Sequence, residues 1–339
     1  MINIAINGFG RIGRAAFKIA MEKKDVKVVA INDLTSPEML AYMLQYDSIY
    51  RKYDREVKVV KGGIKVGDRT VKVFSKPDPG KLPWKKLRVD VVLECTGVFT
   101  TTEKAKPHIK AGAKHVILSA PAKDDETPVF MQGVNSRKFN KKLNVSVSSN
   151  ASCTTNCLGP VAEVMTRRFG ATKAIATTVH SYTATQMLID GPDEKNPRRG
   201  RAAAMNIIPT STGAAVATTQ ALPDLENKFD GIAIRVPSPV VSLADTVFVL
   251  PEKTTVEEIN RVFTEEAASG RYRKVLDVTE DEVVSTDFIG SPFTSIVDLK
   301  MTRIVDGDLV KILSWYDNEW GYSTKLVEQA GEFGKKLKR

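Results

Sequence analysis

The stretch INGFGRIG (residues 6–13) decides the reading of the amino-terminal half. It ends the apolar run INIAING and opens GRAAFKIAMEKK, so Gly8, Gly10 and Gly13 stand where a buried strand turns into a helix. In that context the first glycine permits the tight turn, the second lets a pyrophosphate approach the backbone, and the third allows close helix–strand packing. The helix start adds amide N–H groups and a dipole that favour phosphate oxygens. Asp33 closes the next strand, VKVVAIND, 20 residues beyond Gly13. A carboxylate there suits ribose hydroxyls, and with Leu34 rather than an arginine beside it, it repels a 2′-phosphate and selects NAD.

Outward from this turn the texture is that of an α/β protein. SPEMLAYMLQYDS opens with Ser36 and Pro37, a cap followed by a first-turn proline, and predicts a helix. REVKVVKGGIKVGDRTVKVF alternates with period two, broken at Gly-Gly and Gly-Asp, and predicts antiparallel hairpins. VDVVLECTG, KHVILSAPA and LNVSVSSN read as fully buried strands. Solid apolar strands alternating with helices predict a mostly parallel, doubly wound sheet of Rossmann type over residues 1–150. Beyond it the strands lengthen: TKAIATTVHSYT, FDGIAIRVP, VSLADTVFVL and LVKILSWYD surround one helix, TVEEINRVFTEEAASG. This predicts an α+β catalytic domain over residues 151–318, built on a large, mostly antiparallel sheet. The amphipathic segment at 319–339 is expected to form a helix that packs back on the first domain.

Of 339 residues, 42% are hydrophobic and 27% charged, an ordinary globular balance that argues against disorder. No apolar run nears the roughly 20 residues that span a bilayer, and the start lacks the basic and long apolar regions of a signal peptide. The net charge of +10 is dispersed, with no nucleic-acid-binding motif beside it, and is read as a solvated surface that steers anions. Three cysteines make no disulfide framework, so a reducing cytoplasm is expected.

Two of those cysteines stand four apart in SNASCTTNC (residues 149–157). With three histidines in the chain and none in this segment, no metal site is expected. A structural pair or a nucleophile remains. CTTNCLGPVAEVMTRRF carries Leu158, Val161, Val164 and Met165 at helical spacing. Cys153 then sits at the helix start, where the dipole stabilises a thiolate, while Cys157 falls one turn in, on a face that packs. A nucleophilic cysteine needs a base. His180 ends a strong strand 27 residues later, whereas His108 and His115 lie inside the dinucleotide domain and read as surface or strand-end residues. Around this pair gather Ser152, Thr154, Thr183, Thr185, Arg199, Thr212, Gly213 and Arg235, groups suited to phosphate oxygens.

INGFGRIGR, INDLTS, ECTGVF, LSAPAKD, SNASCTTNCLGP, HSYTATQ, RRGRAAAMNIIPTSTGAA, IRVPSP and WYDNEWGYS, in this order over nearly the whole chain, closely resemble the phosphorylating glyceraldehyde-3-phosphate dehydrogenase family. The resemblance implies oxidation of D-glyceraldehyde 3-phosphate to 1,3-bisphosphoglycerate through a thiohemiacetal and thioester on Cys153, with His180 as base and inorganic phosphate as the acyl acceptor. It implies NAD contacts from Gly8, Phe9, Gly10, Arg11, Ile12, Gly13, Asp33, Thr96, Gly97, Ser119 and Asn318. Thr183 and Arg235 would hold the substrate phosphate. Ser152, Thr154, Thr212 and Gly213 would hold the attacking phosphate, with Thr185 and Arg199 in support and Arg198 and Arg201 as substitutes for Arg199. It also implies a homotetramer in which the loop from residue 181 to about 207 forms an interface. Pro77 departs from the basic residue many relatives carry near the adenosine. Rival readings are an erythrose-4-phosphate dehydrogenase and a dinucleotide-sensing binding protein without catalysis.

Overall fold

Strands that are apolar on both faces need cover on both sides, and the first half of the chain supplies it in a computed structural model that describes residues 1–140 and 145–338. Leu143 and Asn144 of the expected strand LNVSVSSN, and Arg339 of the expected closing helix, lie outside the described residues. The chain divides into two compact units. Met1–Phe130, Asn135–Ala151 and Ser323–Arg339 form the first; Met131–Val134 and Ser152–Tyr322 form the second.

The first unit runs β1 (Ile2–Asn7), α1 (Arg11–Glu22), β2 (Val26–Asn32), α2 (Pro37–Gln45), β3 (Val57–Val60), β4 (Gly63–Val66), β5 (Arg69–Phe74), α3 (Trp84–Leu87), β6 (Val91–Glu94), α4 (Thr102–Lys110), β7 (His115–Leu118) and β8 (Val147–Ser149). Its sheet has the order β3-β4-β5-β2-β1-β6-β7-β8. The strands from β5 to β8 pair in parallel. The β3-β4-β5 edge is antiparallel, as the alternation around its glycines predicts. From β1 the chain winds out through β2 to β5, then crosses to β6 on the other side of β1. Such a reversal opens a crevice at the carboxyl ends of the central strands, where doubly wound proteins bind their ligands. Ser36 caps α2, its hydroxyl accepting from Met39 N.

The second unit runs α5 (Cys153–Phe169), β9 (Lys173–Ser181), β10 (Ile208–Ser211), α6 (Ala214–Ala221), β11 (Phe229–Val236), β12 (Ser242–Val249), α7 (Val256–Ala268), β13 (Leu276–Thr279), β14 (Ser295–Asp298), β15 (Arg303–Val305) and β16 (Leu309–Tyr316). Its sheet has the order β10-β11-β9-β12-β16-β14-β13, with β15 also on β16. The sheet is mixed and mostly antiparallel; β11 on β9 and β13 on β14 are the parallel pairs. One face is covered by α5, whose Leu158, Val161, Val164 and Met165 join the core with Phe248, Phe263 and Tyr316. Cys157 is wholly buried in that core, beside the Ser314 hydroxyl at 3.1 Å.

The closing helix, α8 (Trp320–Lys338), belongs to the first unit from Ser323 onward. There Leu326, Val327, Ala330 and Phe333 are buried. Phe333 stacks on Phe139 and meets Phe130 and His115 edge-on. Truncating so central an aromatic removes its buried area and leaves a cavity. Phe333→Ala is expected to cost about 3–5 kcal/mol, read as a lowered denaturation midpoint; a midpoint within error of wild type would mean that the helix contributes little to this core.

Candidate active site

The turn between β1 and α1 has the shape its glycines require. Gly8 has φ of +91°, and a Cβ on Gly13 would come within 2.1 Å of the Gly8 carbonyl oxygen. No side chain caps α1 at Gly10, so its amino end keeps the partial positive charge that a pyrophosphate would meet. Asp33 at the end of β2 accepts from Phe9 N (2.7 Å) and Thr35 N (2.9 Å), tying the second strand to the turn. Phe9 is buried edge-on against Phe17. Thr96 and the left-handed Gly97 follow β6, and Ser119 follows β7. The residues expected around a dinucleotide, Gly8 to Gly13, Asp33, Thr96, Gly97 and Ser119, thus share the carboxyl edge of one parallel sheet, an arrangement that fits NAD. Arg11 is different: its guanidinium pairs with Asp47 (2.5 Å) and lies over the Tyr50 ring, leaving the main chain as its means of contact with phosphate. Asn318 lies in the second unit, its Oδ1 accepting from the hydroxyls of Ser181 (3.0 Å) and Ser242 (3.1 Å).

The cysteine and histidine expected to react both lie within the second unit. Ser152 caps α5, its hydroxyl accepting from Thr155 N (3.1 Å), and so fixes Cys153 as the first helical residue. The Cys153 Sγ stands 3.5 Å from Nε2 of His180, near the end of β9. On the far side of the ring, Nδ1 lies 2.7 Å from the Ser181 carbonyl oxygen. Register pairs Arg235 of β11 with His180, and its guanidinium reaches both that carbonyl (2.8 Å) and Nδ1 (2.8 Å). Nδ1 can donate to the carbonyl or accept from the guanidinium. The first choice turns the Nε2 lone pair toward sulfur, as a base requires.

Burial pushes the Cys153 thiol up, while the Arg235 charge and hydrogen bonds from Thr154 pull it back. Burial, then the Arg235 charge, push His180 down to about 3, with the Ser181 carbonyl opposing. Burial thus favours the uncharged form of each group, and the Arg235 charge favours a thiolate on the sulfur. Cys157 is pushed up to about 12 by burial, an inert thiol.

The anion-binding candidates divide. Arg235 keeps its Nε buried without a hydrogen-bond partner, a donor open to an anion. The Thr183 and Thr185 hydroxyls pair at 2.9 Å in the loop after β9. Arg199 is drawn to the Thr210 hydroxyl (3.0 Å) and the Ser211 carbonyl, and Arg201 to Asp190. Thr212 and the exposed Gly213 precede α6, the Thr212 hydroxyl accepting from Ala214 N. Thr154 turns its hydroxyl inward to Tyr316 (2.9 Å), so only its main chain remains for a phosphate.

Sequence reasoning missed Tyr316, which bonds Thr154 and Thr178 and meets the His180 ring edge-on. It also missed Ser242. Tyr316 lies in a strand whose alternation gave no sign of a polar tip turned inward. His115 does begin a strand, β7, as expected, but the reading of His108 as a surface residue needs correction, and neither ring is exposed. Both are fully buried because each ring finds a partner on both nitrogens: Trp84 and Glu94 for His108, the Val145 carbonyl and Ser148 for His115. No group of three or more metal-ligating side chains occurs among the described residues.

A dinucleotide-binding sheet joined in one chain to a sheet bearing a cysteine–histidine pair defines an NAD-dependent dehydrogenase. Residues 2–102 match the family domain described as "Glyceraldehyde 3-phosphate dehydrogenase, NAD binding domain", and residues 152–318 match its C-terminal domain. The chain is 48% identical to glyceraldehyde-3-phosphate dehydrogenase of Bacteroides fragilis over 97% of its length and 98% of that protein. It is 48% identical to glyceraldehyde-3-phosphate dehydrogenase 1 of Bacillus subtilis, over 99% of each chain. Identity to glyceraldehyde-3-phosphate dehydrogenase A of Escherichia coli is 46%, over 98% of this chain and 99% of that protein. The chain belongs to the glyceraldehyde-3-phosphate dehydrogenase family, and its cofactor is NAD.

The two buried imidazoles carry a pH signature. His180 at about 3 and His115 at about 4 lie below the ordinary 6.5. Both rings are neutral in either state above that value; below it the unfolded chain binds protons the folded one refuses, so stability falls with pH. The denaturation midpoint is expected to decline between about pH 6.5 and 4, and more gently in His180→Asn. Equal slopes in the two proteins would show that His180 protonates freely in the fold.

Proposed function

We propose that this chain oxidises D-glyceraldehyde 3-phosphate to 1,3-bisphosphoglycerate, with Cys153 as nucleophile and His180 as general base. The observation that carries this is a cysteine sulfur 3.5 Å from an imidazole nitrogen at the first residue of a capped helix. As the sulfur attacks the aldehyde carbon, its proton passes to Nε2 and on to the new alkoxide, giving a thiohemiacetal. Nε2 then takes the hydroxyl proton as the carbon loses hydride, and a thioester remains. NAD, when bound, supplies the hydride acceptor. Inorganic phosphate attacks the thioester, the acyl–sulfur bond breaks, and the thiolate leaves with the helix dipole and Arg235 to stabilise it. The thioester preserves as acyl potential the free energy that hydrolysis would lose.

Arg235 and Thr183 would hold the substrate phosphate, and the unfilled Nε of Arg235 supports this role. Ser152, Thr212, Gly213 and the Thr154 main chain would receive the attacking phosphate, with Arg199 and Thr185 nearby in sequence to the loops that carry them. Gly8 to Gly13, Asp33, Thr96, Gly97, Ser119 and Asn318 would hold the cofactor. A homotetramer fits the loop from residue 181 to about 207, where Leu188, Ile189, Met205 and Ile207 are 71–83% exposed, an apolar surface a partner subunit would cover. No helix is long and apolar enough to cross a membrane, and a cytoplasmic site of action suits three free thiols.

Triose-phosphate-dependent NADH formation that requires phosphate or arsenate tests the reading; phosphate-independent turnover, or a preference for erythrose 4-phosphate, would overturn it. Cys153→Ser is expected to abolish NADH formation while NAD still binds, and His180→Asn to slow acylation by about 10²–10⁴. Cys157→Ser should lower stability with activity largely kept. Were that last variant folded but inactive, the nucleophile would be the wrong thiol.

A further inference from the structure

A buried carboxylate in the first unit has no role in the chemistry above. Glu94 ends β6, is almost wholly buried, and among the described residues is answered by four hydrogen-bond donors and by no lysine or arginine. Its Oε2 faces Asn7 Nδ2 (2.5 Å) and His108 Nε2 (3.1 Å). Its Oε1 accepts from Thr96 N (2.8 Å) and from the Thr96 hydroxyl.

The direction of every bond follows from the donors. Trp84 Nε1 can only donate, and it lies 2.9 Å from His108 Nδ1, so Nδ1 accepts and the ring proton sits on Nε2. His108 therefore donates to Glu94. Asn7 gives its amide hydrogen to Glu94 and accepts from Asn32 Nδ2 (2.7 Å), while Asn32 accepts from Lys76 N (2.9 Å). A single network thus joins the carboxyl ends of β1, β2 and β6, with Trp84 and His108 fixing its far end. At the other end Thr96 is clamped through both its amide and its hydroxyl. The clamped peptide is also the wall of the glycine turn: a Cβ on Gly8 would lie 2.7 Å from Cys95 C and Thr96 N.

We propose that Glu94, oriented by His108 and Trp84, is a positioning residue for the cofactor, holding the Thr96–Gly97 turn in the shape that NAD meets. This rests on the assignment of Thr96 and Gly97 to the cofactor site made above. Glutamine is no conservative replacement here. Facing Asn7 and His108 its NH₂ meets two donors, and facing Thr96 it meets the backbone N–H while the hydroxyl turns to accept. In either orientation a buried donor is left facing another donor, which is costly.

The test is isothermal titration of full-length protein with NAD. Glu94→Gln is expected to weaken NAD binding about tenfold or more, and His108→Phe, which frees the carboxylate to turn, several-fold. The KM for triose phosphate and the rate of Cys153 alkylation should stay within about twofold in both, a split that general loosening of the fold would not give. Nitrogen NMR of the wild-type His108 ring should show its proton on Nε2. If Glu94→Gln does not fold, His108→Phe decides, because His108 touches Glu94 and is none of the residues assigned to the cofactor. Folded variants that bind NAD within twofold of wild type, or a His108 proton on Nδ1, would overturn the proposal. Failure of the wild-type protein to bind NAD would instead overturn the cofactor assignment beneath it.

Discussion

The contact on which the second unit turns is that between the Cys153 sulfur and the His180 ring. Neither residue reaches it by local preference alone. Ser152 must cap the helix for Cys153 to become its first residue, and β9 must pair with β11 in one register for His180 to stand opposite Arg235. A slip of one residue would turn His180 to the other face of the sheet. Burial disfavours charge on either member of the pair, because charges separated from water are costly unless other charges answer them. Arg235 is the charge that can answer. It lowers the thiol while opposing a proton on the imidazole, so a bound anion on its guanidinium would change the balance between the two.

The first unit solves a different problem, the presentation of main-chain groups to an anionic cofactor. Its means is a turn so tight that side chains are excluded at Gly8 and Gly13. Such a turn needs support from beneath, and the polar network of Asn7, Asn32, Glu94 and His108, all buried, gives it. Asp33 adds a tie from the second strand. Fully satisfied buried networks of this kind confer rigidity, whereas partly satisfied ones destabilise. The two units thus share a method: a short polar segment is held from behind by hydrogen bonds so that its front is free.

Much of this was legible in the residues. The glycine spacing and Asp33 pointed to a dinucleotide turn because each position answers a steric need that few other residues meet. The apolar spacing of Leu158, Val161, Val164 and Met165 separated a buried Cys157 from Cys153 at the helix start. Other features were not legible. His108 and His115 look alike on paper to surface histidines, since burial of an imidazole depends on partners such as Trp84, Glu94 and Ser148 that are distant in sequence. Tyr316 hides in an ordinary strand. The short strands β10, β13, β14 and β15 are too brief for periodicity to mark them.

By itself, then, the amino-acid sequence determined what depends on near neighbours: the glycine turn after β1, the capped helix that begins at Cys153, the strand that ends near His180, and membership of a family through motifs in fixed order. Only the tertiary structure decided the rest. It set the 3.5 Å approach of sulfur to ring, the placement of Arg235 against Nδ1, and the inward turn of the Thr154 hydroxyl. The reason is physical. Local pattern reports which face of an element seeks burial, but the partner of a buried polar atom is chosen by strand pairing across long stretches of chain.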